Sequence, residues 1–124
     1  MHQSGSQPIR VLIADDHLAT RLGLKLALRL YPEIEDVGEA ANGGEVVRLV
    51  TEVQPDVVLM DGKMPIMDGL EATRLIKSQW PEIRVIILTM CAEYQARAIV
   101  AGADAALLKD GASVKALRDA ILEA

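Results

Sequence analysis

Asp15-Asp16, Asp61, Thr89 and Lys109 each follow directly on a short apolar run, namely Ile9-Ala14, Asp56-Met60, Ile83-Leu88 and Ala105-Leu108. Three carboxylates gathered in one place repel one another and hold their protons more tightly unless a cation neutralises them. An all-oxygen donor set of this kind favours a hard divalent ion, with Mg2+ the natural candidate, bound through one or two carboxylates and several retained waters. That leaves room for phosphate oxygens, one held by Lys109 and another accepting from the Thr89 hydroxyl. The remaining carboxylate, Asp61, is then the nucleophile. Taken singly, each residue has an ordinary explanation, since Asp and Thr at strand ends often cap the next helix and Lys is usually a solvated surface charge. The case for a site lies in the set and its order.

These side chains meet only if the runs that carry them lie side by side in one direction. With Asp36-Ala40 added, there are five such runs, separated by longer stretches rich in helix formers. Val11-Leu12-Ile13, Val57-Val58-Leu59-Met60 and Val85-Ile86-Ile87-Leu88 are continuously apolar, as expected of strands covered by helices on both faces, which implies a parallel sheet. In an open parallel sheet, ligands bind beyond the carboxyl ends of the strands. Tyr31-Pro32, Gln54-Pro55 and Trp80-Pro81 mark element ends, and Asn42-Gly43-Gly44 reads as a turn, because no Gly-Lys-Ser/Thr follows to make a phosphate loop. The stretch from His17 to Leu30 places Leu22, Leu24, Leu26, Leu28 and Leu30 at a period of two. Its length and its Leu, Ala, Lys and Arg content nevertheless predict a helix. Drawn so, Leu18, Leu22, Leu26 and Leu30 are expected on the core face. Leu24 and Leu28 fall on the other side, as scattered surface leucines or a partner-binding face.

A chain of 124 residues with 51% hydrophobic and 25% charged residues suits one globular domain, and the 2% aromatic share leaves Leu, Val, Ile and Ala to fill the core. The polar opening, residues 1–8, is expected to be a disordered leader or an expression remnant, with the folded domain covering 9–124. A net charge of -5 with scattered basic residues lacks the electrostatic footprint of a nucleic-acid binder. The single cysteine, Cys91, excludes an intramolecular disulfide framework, and no apolar run approaches the length of a membrane span. A cytoplasmic location is expected.

Asp15-Asp16, Asp61-Gly62-Lys63-Met64-Pro65 with Asp68-Gly69, Thr89 and Leu108-Lys109 together resemble the receiver domains of bacterial response regulators, and the resemblance runs from Ile9 to Leu122. It implies a flavodoxin-like α/β fold, a doubly wound five-stranded parallel sheet in the order 2-1-3-4-5 with helices on both faces. It also implies phosphoryl transfer from a sensor histidine kinase to Asp61, with Mg2+ held by Asp16 and Asp61, Asp15 acting through metal-bound water and the Lys63 backbone carbonyl completing the ligand set. Ile13-Ala14-Asp15-Asp16-His17 and Leu107-Leu108-Lys109-Asp110-Gly111 look most like the NarL/FixJ subfamily. Its members usually add a C-terminal helix-turn-helix domain, through which alone DNA contact is expected, and a homodimer formed on phosphorylation is an associated expectation.

Two departures bear on how a signal would be relayed. The family normally carries Tyr or Phe three residues before the lysine, and here that position is Ala106; the segment from Thr89 to Gly102 is also about two residues shorter than in most relatives. Lys63 reads equally as a solvated loop charge and as a cation bordering the path of hydrolytic water. Met90 and Cys91 lie at the expected mouth of the site as modulators, and His17 reads as a surface or capping residue rather than a ligand. A receiver that never takes up phosphate and serves as a binding module is the rival reading. An aspartyl-phosphate phosphatase resembling the haloacid dehalogenases is opposed by Lys63, which stands where those enzymes need a second Asp. The domain is expected not to be an enzyme with a separate substrate.

Overall fold

The computed structural model describes residues 7–123, so the expected leader, residues 1–8, falls largely outside the described residues. Strands β1 (Ile9–Ala14), β2 (Ile34–Ala40), β3 (Val57–Asp61), β4 (Arg84–Thr89) and β5 (Ala105–Leu108) alternate with helices α1 (Leu18–Leu28), α2 (Gly43–Val53), α3 (Gly69–Gln79), α4 (Ala92–Val100) and α5 (Val114–Leu122). The strands form one sheet in the order β2-β1-β3-β4-β5, all pairs parallel. This is the flavodoxin-like order that the resemblance implies. No described helix is long and apolar enough to cross a membrane.

Alternation of side chains along each strand divides the core into two layers. Leu12, Val58, Met60, Val85 and Ile87 point to one face, where α2, α3 and α4 supply Val46, Val50, Leu70, Ile76 and Ala98. Val11, Ile13, Leu59, Ile86 and Leu88 point to the other, where α1 and α5 supply Leu28, Leu117 and Ile121. Because both faces are covered, the middles of β1, β3 and β4 are apolar at successive positions, which is why they read as continuous runs, whereas the edge strand β2 carries Glu35, Asp36 and Glu39. Asn42-Gly43-Gly44 proves to be the start of α2: the Asn42 side chain accepts from Glu45 N at 2.9 Å, while Glu45 accepts from Ala41 N at 2.7 Å, satisfying two otherwise orphaned donors.

Helix α1 corrects the expected face. Leu28 is 1% exposed and Leu24 packs beside it, whereas Leu18, Leu22, Leu26 and Leu30 are 59%, 46%, 62% and 74% exposed. Burial of a leucine contributes roughly 1.5–3 kcal/mol, so the helix is anchored by the stripe thought to face outward. The neighbours decide its rotation. Arg21 pairs with Glu39 of β2 at 3.2 Å and Lys25 with the same carboxylate at 2.7 Å, holding the Arg21 and Lys25 side of the helix over the sheet edge. The stripe with more leucines is the exposed one, so leucine count along α1 does not rank the two faces.

Two described non-glycine residues take a left-handed backbone, Gln54 closing α2 and Ile66 between β3 and α3. Ile66 takes φ of 71°, the left-handed region, although it is β-branched and 87% exposed. Ile66→Gly therefore sacrifices no packing while removing a conformational cost, and it is expected to raise stability by up to about 1 kcal/mol. Urea denaturation of the two proteins measures this. A lower midpoint in the variant would refute the strain argument.

Candidate functional site

Parallel register assembles the site. Ala14 pairs with Met60, Asp61 with Leu88, and Thr89 with Leu108, so the residues ending β1, β3, β4 and β5 come out at one edge of the sheet. Backbone bonds lock that edge: Gly62 N donates to Leu88 O at 3.0 Å and Lys109 N to Thr89 O at 2.7 Å. The Lys109 ammonium reaches over to Asp15 Oδ2 at 2.8 Å and Asp61 Oδ2 at 3.5 Å. Asp15 and Thr89 are buried at 1% and 4% exposure, Asp61 at 8%, and Asp16 turns toward solvent.

The buried charges are mutually dependent. Burial is the main influence on Asp61 and raises its pKa above the usual value; Lys109 opposes the rise, and the Asp15 charge adds to it. Burial alone would lower the Lys109 pKa, but its bond to Asp15 and the charges of Asp61 and Asp15 outweigh this and leave it raised. Carboxylate oxygens of Asp15, Asp16 and Asp61 and a ring nitrogen of His17 lie within 4.8 Å of one another. Three carboxylates against the single ammonium of Lys109 leave a charge of about two to be balanced, and the oxygen-rich donor set suits a hard divalent ion. The residues present therefore fit Mg2+. His17 lies closer than its sequence suggested, with Nδ1 3.2 Å from Asp16 Oδ1 and 3.3 Å from Asp15 Oδ1, and its backbone N–H donates to Asp15 Oδ1 at 2.9 Å.

Residues 11–122 match the response regulator receiver domain family. The chain is a response regulator receiver domain. It is 43% identical over 115 residues to the response regulator protein VraR of Staphylococcus aureus, covering 91% of this chain and 54% of that protein. It is also 43% identical to the uncharacterized transcriptional regulatory protein YhcZ of Bacillus subtilis, over 82% of this chain and 49% of that one. The chain thus spans about half the length of these curated relatives. Among solved structures, it is similar to the signal receiver domain of the response regulator NarL from Mycobacterium tuberculosis, with a TM-score of 0.85, 32% identity and coverage of 95% and 99% of the two chains. A LuxR-family regulator from Aurantimonas gives the same TM-score at 34% identity, over 93% of this chain and 83% of that one.

The positions around the acidic centre of this receiver domain vary in how they meet it. Lys63 N–H points at Asp61 Oδ1 from 3.4 Å, while the Lys63 side chain is exposed, with Nζ 5.5 Å from the centre of the Tyr94 ring. Thr89 Oγ1 accepts from Cys91 N at 3.2 Å, and Met90 and Cys91 are exposed in the two-residue connection before α4. Ala106 is half-buried in β5, where its carbonyl accepts from Gln95 Nε2 at 2.7 Å. Two supporting residues were not foreseen from sequence. Arg21 donates to the Asp15 carbonyl at 2.7 Å and so braces the end of β1, and Tyr94 lies against Gly62, directly after Asp61. Arg21 is close to Asp15 in the chain, but nothing in its residue type shows that its guanidinium turns back to that carbonyl; Tyr94 is hidden by its distance from Asp61, the one local hint being Gly62, which leaves space for a side chain from elsewhere.

Proposed function

We propose that this receiver domain is a phosphorylation switch in which Asp61 accepts a phosphoryl group from the phosphohistidine of a sensor histidine kinase. The observation that carries the reading is the Lys109 ammonium set between Asp15 and Asp61 beside the buried Thr89, an arrangement suited to anchoring phosphoryl oxygens at an Asp nucleophile. A carboxylate oxygen of Asp61 forms the new bond to phosphorus as the bond from phosphorus to the histidine nitrogen breaks, and the departing nitrogen keeps the electron pair. Lys109 turns from Asp15 to a phosphoryl oxygen, and the Thr89 hydroxyl donates to another. Asp15, Asp16, Asp61 and the Lys63 backbone carbonyl would hold Mg2+, which supplies positive charge opposite the transferring phosphoryl group. The domain consumes one phosphoryl group per cycle on its own side chain and is not an enzyme acting on a separate substrate.

Downstream, the reading is that phosphorylation alters conformation and self-association in the cytoplasm. Its output is transcriptional, through a DNA-binding domain following the receiver, a reading supported by similarity to a protein named as a transcriptional regulator. Incubation with Mg2+ and acetyl phosphate is expected to add one phosphoryl mass to Asp61, stable in acid and labile in base, with EDTA preventing it. Ala106 favours the second reading, a binding module indifferent to phosphate, and an unlabelled Asp61 under these conditions would establish it in place of the first.

Lys63 offers a narrower test. Its side chain stands free of the carboxylates, so Lys63→Ala is expected to change the lifetime of phospho-Asp61 several-fold while leaving Mg2+ affinity within about twofold, since an exposed charge of this kind acts on nearby ions only modestly. A phosphate-release time course reads the lifetime. Superimposable decay curves would make Lys63 a solvated loop charge only.

A further inference from the structure

The aromatic group nearest the acceptor comes from α4, since β5 provides none at Ala106. Tyr94 is 7% exposed, and its ring occupies the space beside Gly62: a Cβ at position 62 would lie 2.7 Å from Tyr94 Cδ2 and 2.8 Å from Cε2. Glycine at 62 is therefore what admits the ring. The Tyr94 hydroxyl donates to Asp68 Oδ2 at 3.0 Å, while Asp68 Oδ1 caps α3 by accepting from Glu71 N at 3.0 Å. One carboxylate thus serves the starts of two helices. The next residue, Gln95, holds the Ala106 carbonyl, so the first turn of α4 is tied both to the acceptor loop and to β5.

A short chain of contacts joins this turn to the site. Thr89 Oγ1 accepts from the N–H of Cys91, the N-cap residue of α4, and Tyr94 follows within that helix's first turn. Movement of the Thr89 hydroxyl toward a phosphoryl oxygen would strain that bond. At the same time the added negative charge attracts Lys63, one of two cations attending the Tyr94 ring, the other being Arg97 at 5.0 Å. We propose that Tyr94 is the positioning residue that passes the state of Asp61 to α4, its ring seated on Gly62 and latched to Asp68 before phosphorylation and shifted from that seat after it. The inference rests on the reading of Asp61 as phosphoacceptor. Burial and the bond to Asp68 raise the pKa of the Tyr94 hydroxyl, so the latch keeps its proton at neutral pH.

The chain has two tyrosines, Tyr31 and Tyr94, so biosynthetic 3-fluorotyrosine yields two fluorine resonances, assigned with Tyr31→Phe. With Mg2+ and acetyl phosphate, the Tyr94 resonance is expected to move by more than its linewidth while that of Tyr31 stays in place. Hydrogen exchange over α4 adds a second readout: its phosphorylation-dependent change should be lost in Tyr94→Leu and partly restored in Tyr94→Phe, which keeps the ring and lacks the latch. If mass spectrometry shows phospho-Asp61 yet the Tyr94 resonance is unmoved, or if Tyr94→Leu responds in α4 as the parent does, the proposal is overturned and the phosphoacceptor reading stands. Should Tyr94→Leu fail to fold, the fluorine spectrum of the parent still decides. Absence of any label on the parent would overturn the phosphoacceptor reading and this inference with it.

Discussion

Asp61→Asn is expected to abolish labelling by acetyl phosphate and, without Mg2+, to give a protein more stable than its parent at neutral pH. Asparagine fills the same volume but has no anionic oxygen to attack phosphorus. In the parent, burial holds the Asp61 pKa above its ordinary value, so the folded state binds this proton more tightly than the unfolded state does. Stability then falls as pH rises through the folded pKa, and the ionised carboxylate is a standing penalty above it. The variant's advantage should be fully present above the folded pKa of Asp61 and should fade as pH falls toward about 4, where the unfolded aspartate also takes up its proton. Lys109 loses a partner at 3.5 Å but keeps Asp15 at 2.8 Å, so the ammonium is not stranded. Thermal melts in EDTA at both pH values, with labelling followed by mass, test the two halves separately. Labelling of the variant at the parental rate would remove Asp61 from its role, and a parent more stable than the variant at neutral pH would contradict the burial argument.

Gly69→Ala should damage fold and chemistry together. The first residue of α3 lies so close to the acceptor strand that an added Cβ would overlap the Asp61 carbonyl oxygen and come within 3.0 Å of Gly62 Cα. Both obstacles are backbone, which cannot rotate aside, and Gly69 N also donates to Gly62 O at 2.9 Å. Opening this contact costs about 2–4 kcal/mol, at the high end for an added methyl group because the clash is with main chain. Since the displaced atoms belong to Asp61, the labelling rate should fall by at least about tenfold, as a misplacement near 1 Å suffices for losses of this size. Gly23→Ala is the control: nothing lies within 4 Å of its Cβ in the middle of α1, and the same substitution there should add up to about 1 kcal/mol of stability. Urea midpoints compare the pair. Equal midpoints would mean that α3 is not seated on β3 as tightly as the Gly69 contacts require.

Much of this architecture was legible in the residues. Apolar runs without alternation announced strands buried on both faces, and polar residues at their ends announced the edge where Asp15, Asp61, Thr89 and Lys109 do come together. Element ends moved slightly: β2 begins at Ile34 rather than Asp36, and α1 stops at Leu28 rather than Leu30. Such shifts arise because apolar runs and prolines constrain element ends only loosely.

What the sequence by itself determined was local and additive: which segments are strands, that the sheet is parallel, and which side chains reach its carboxyl edge. Each follows from residue type and period along a single element. Contacts between elements were decided by the tertiary structure alone. Leu28 and Leu24 face the core, and Leu22 and Leu26 face solvent, because Arg21 and Lys25 find acids on β2 that no periodicity within α1 can reveal. Tyr94 reaches Gly62 because the β4 to α4 connection is only Met90-Cys91, so that the first turn of α4 comes down on the loop after β3. A helix's pattern records that it has a buried face. Which of two apolar stripes is buried, and which distant residue fills the gap beside a glycine, depends on the free energy of pairs on different elements, and only folding brings those pairs together.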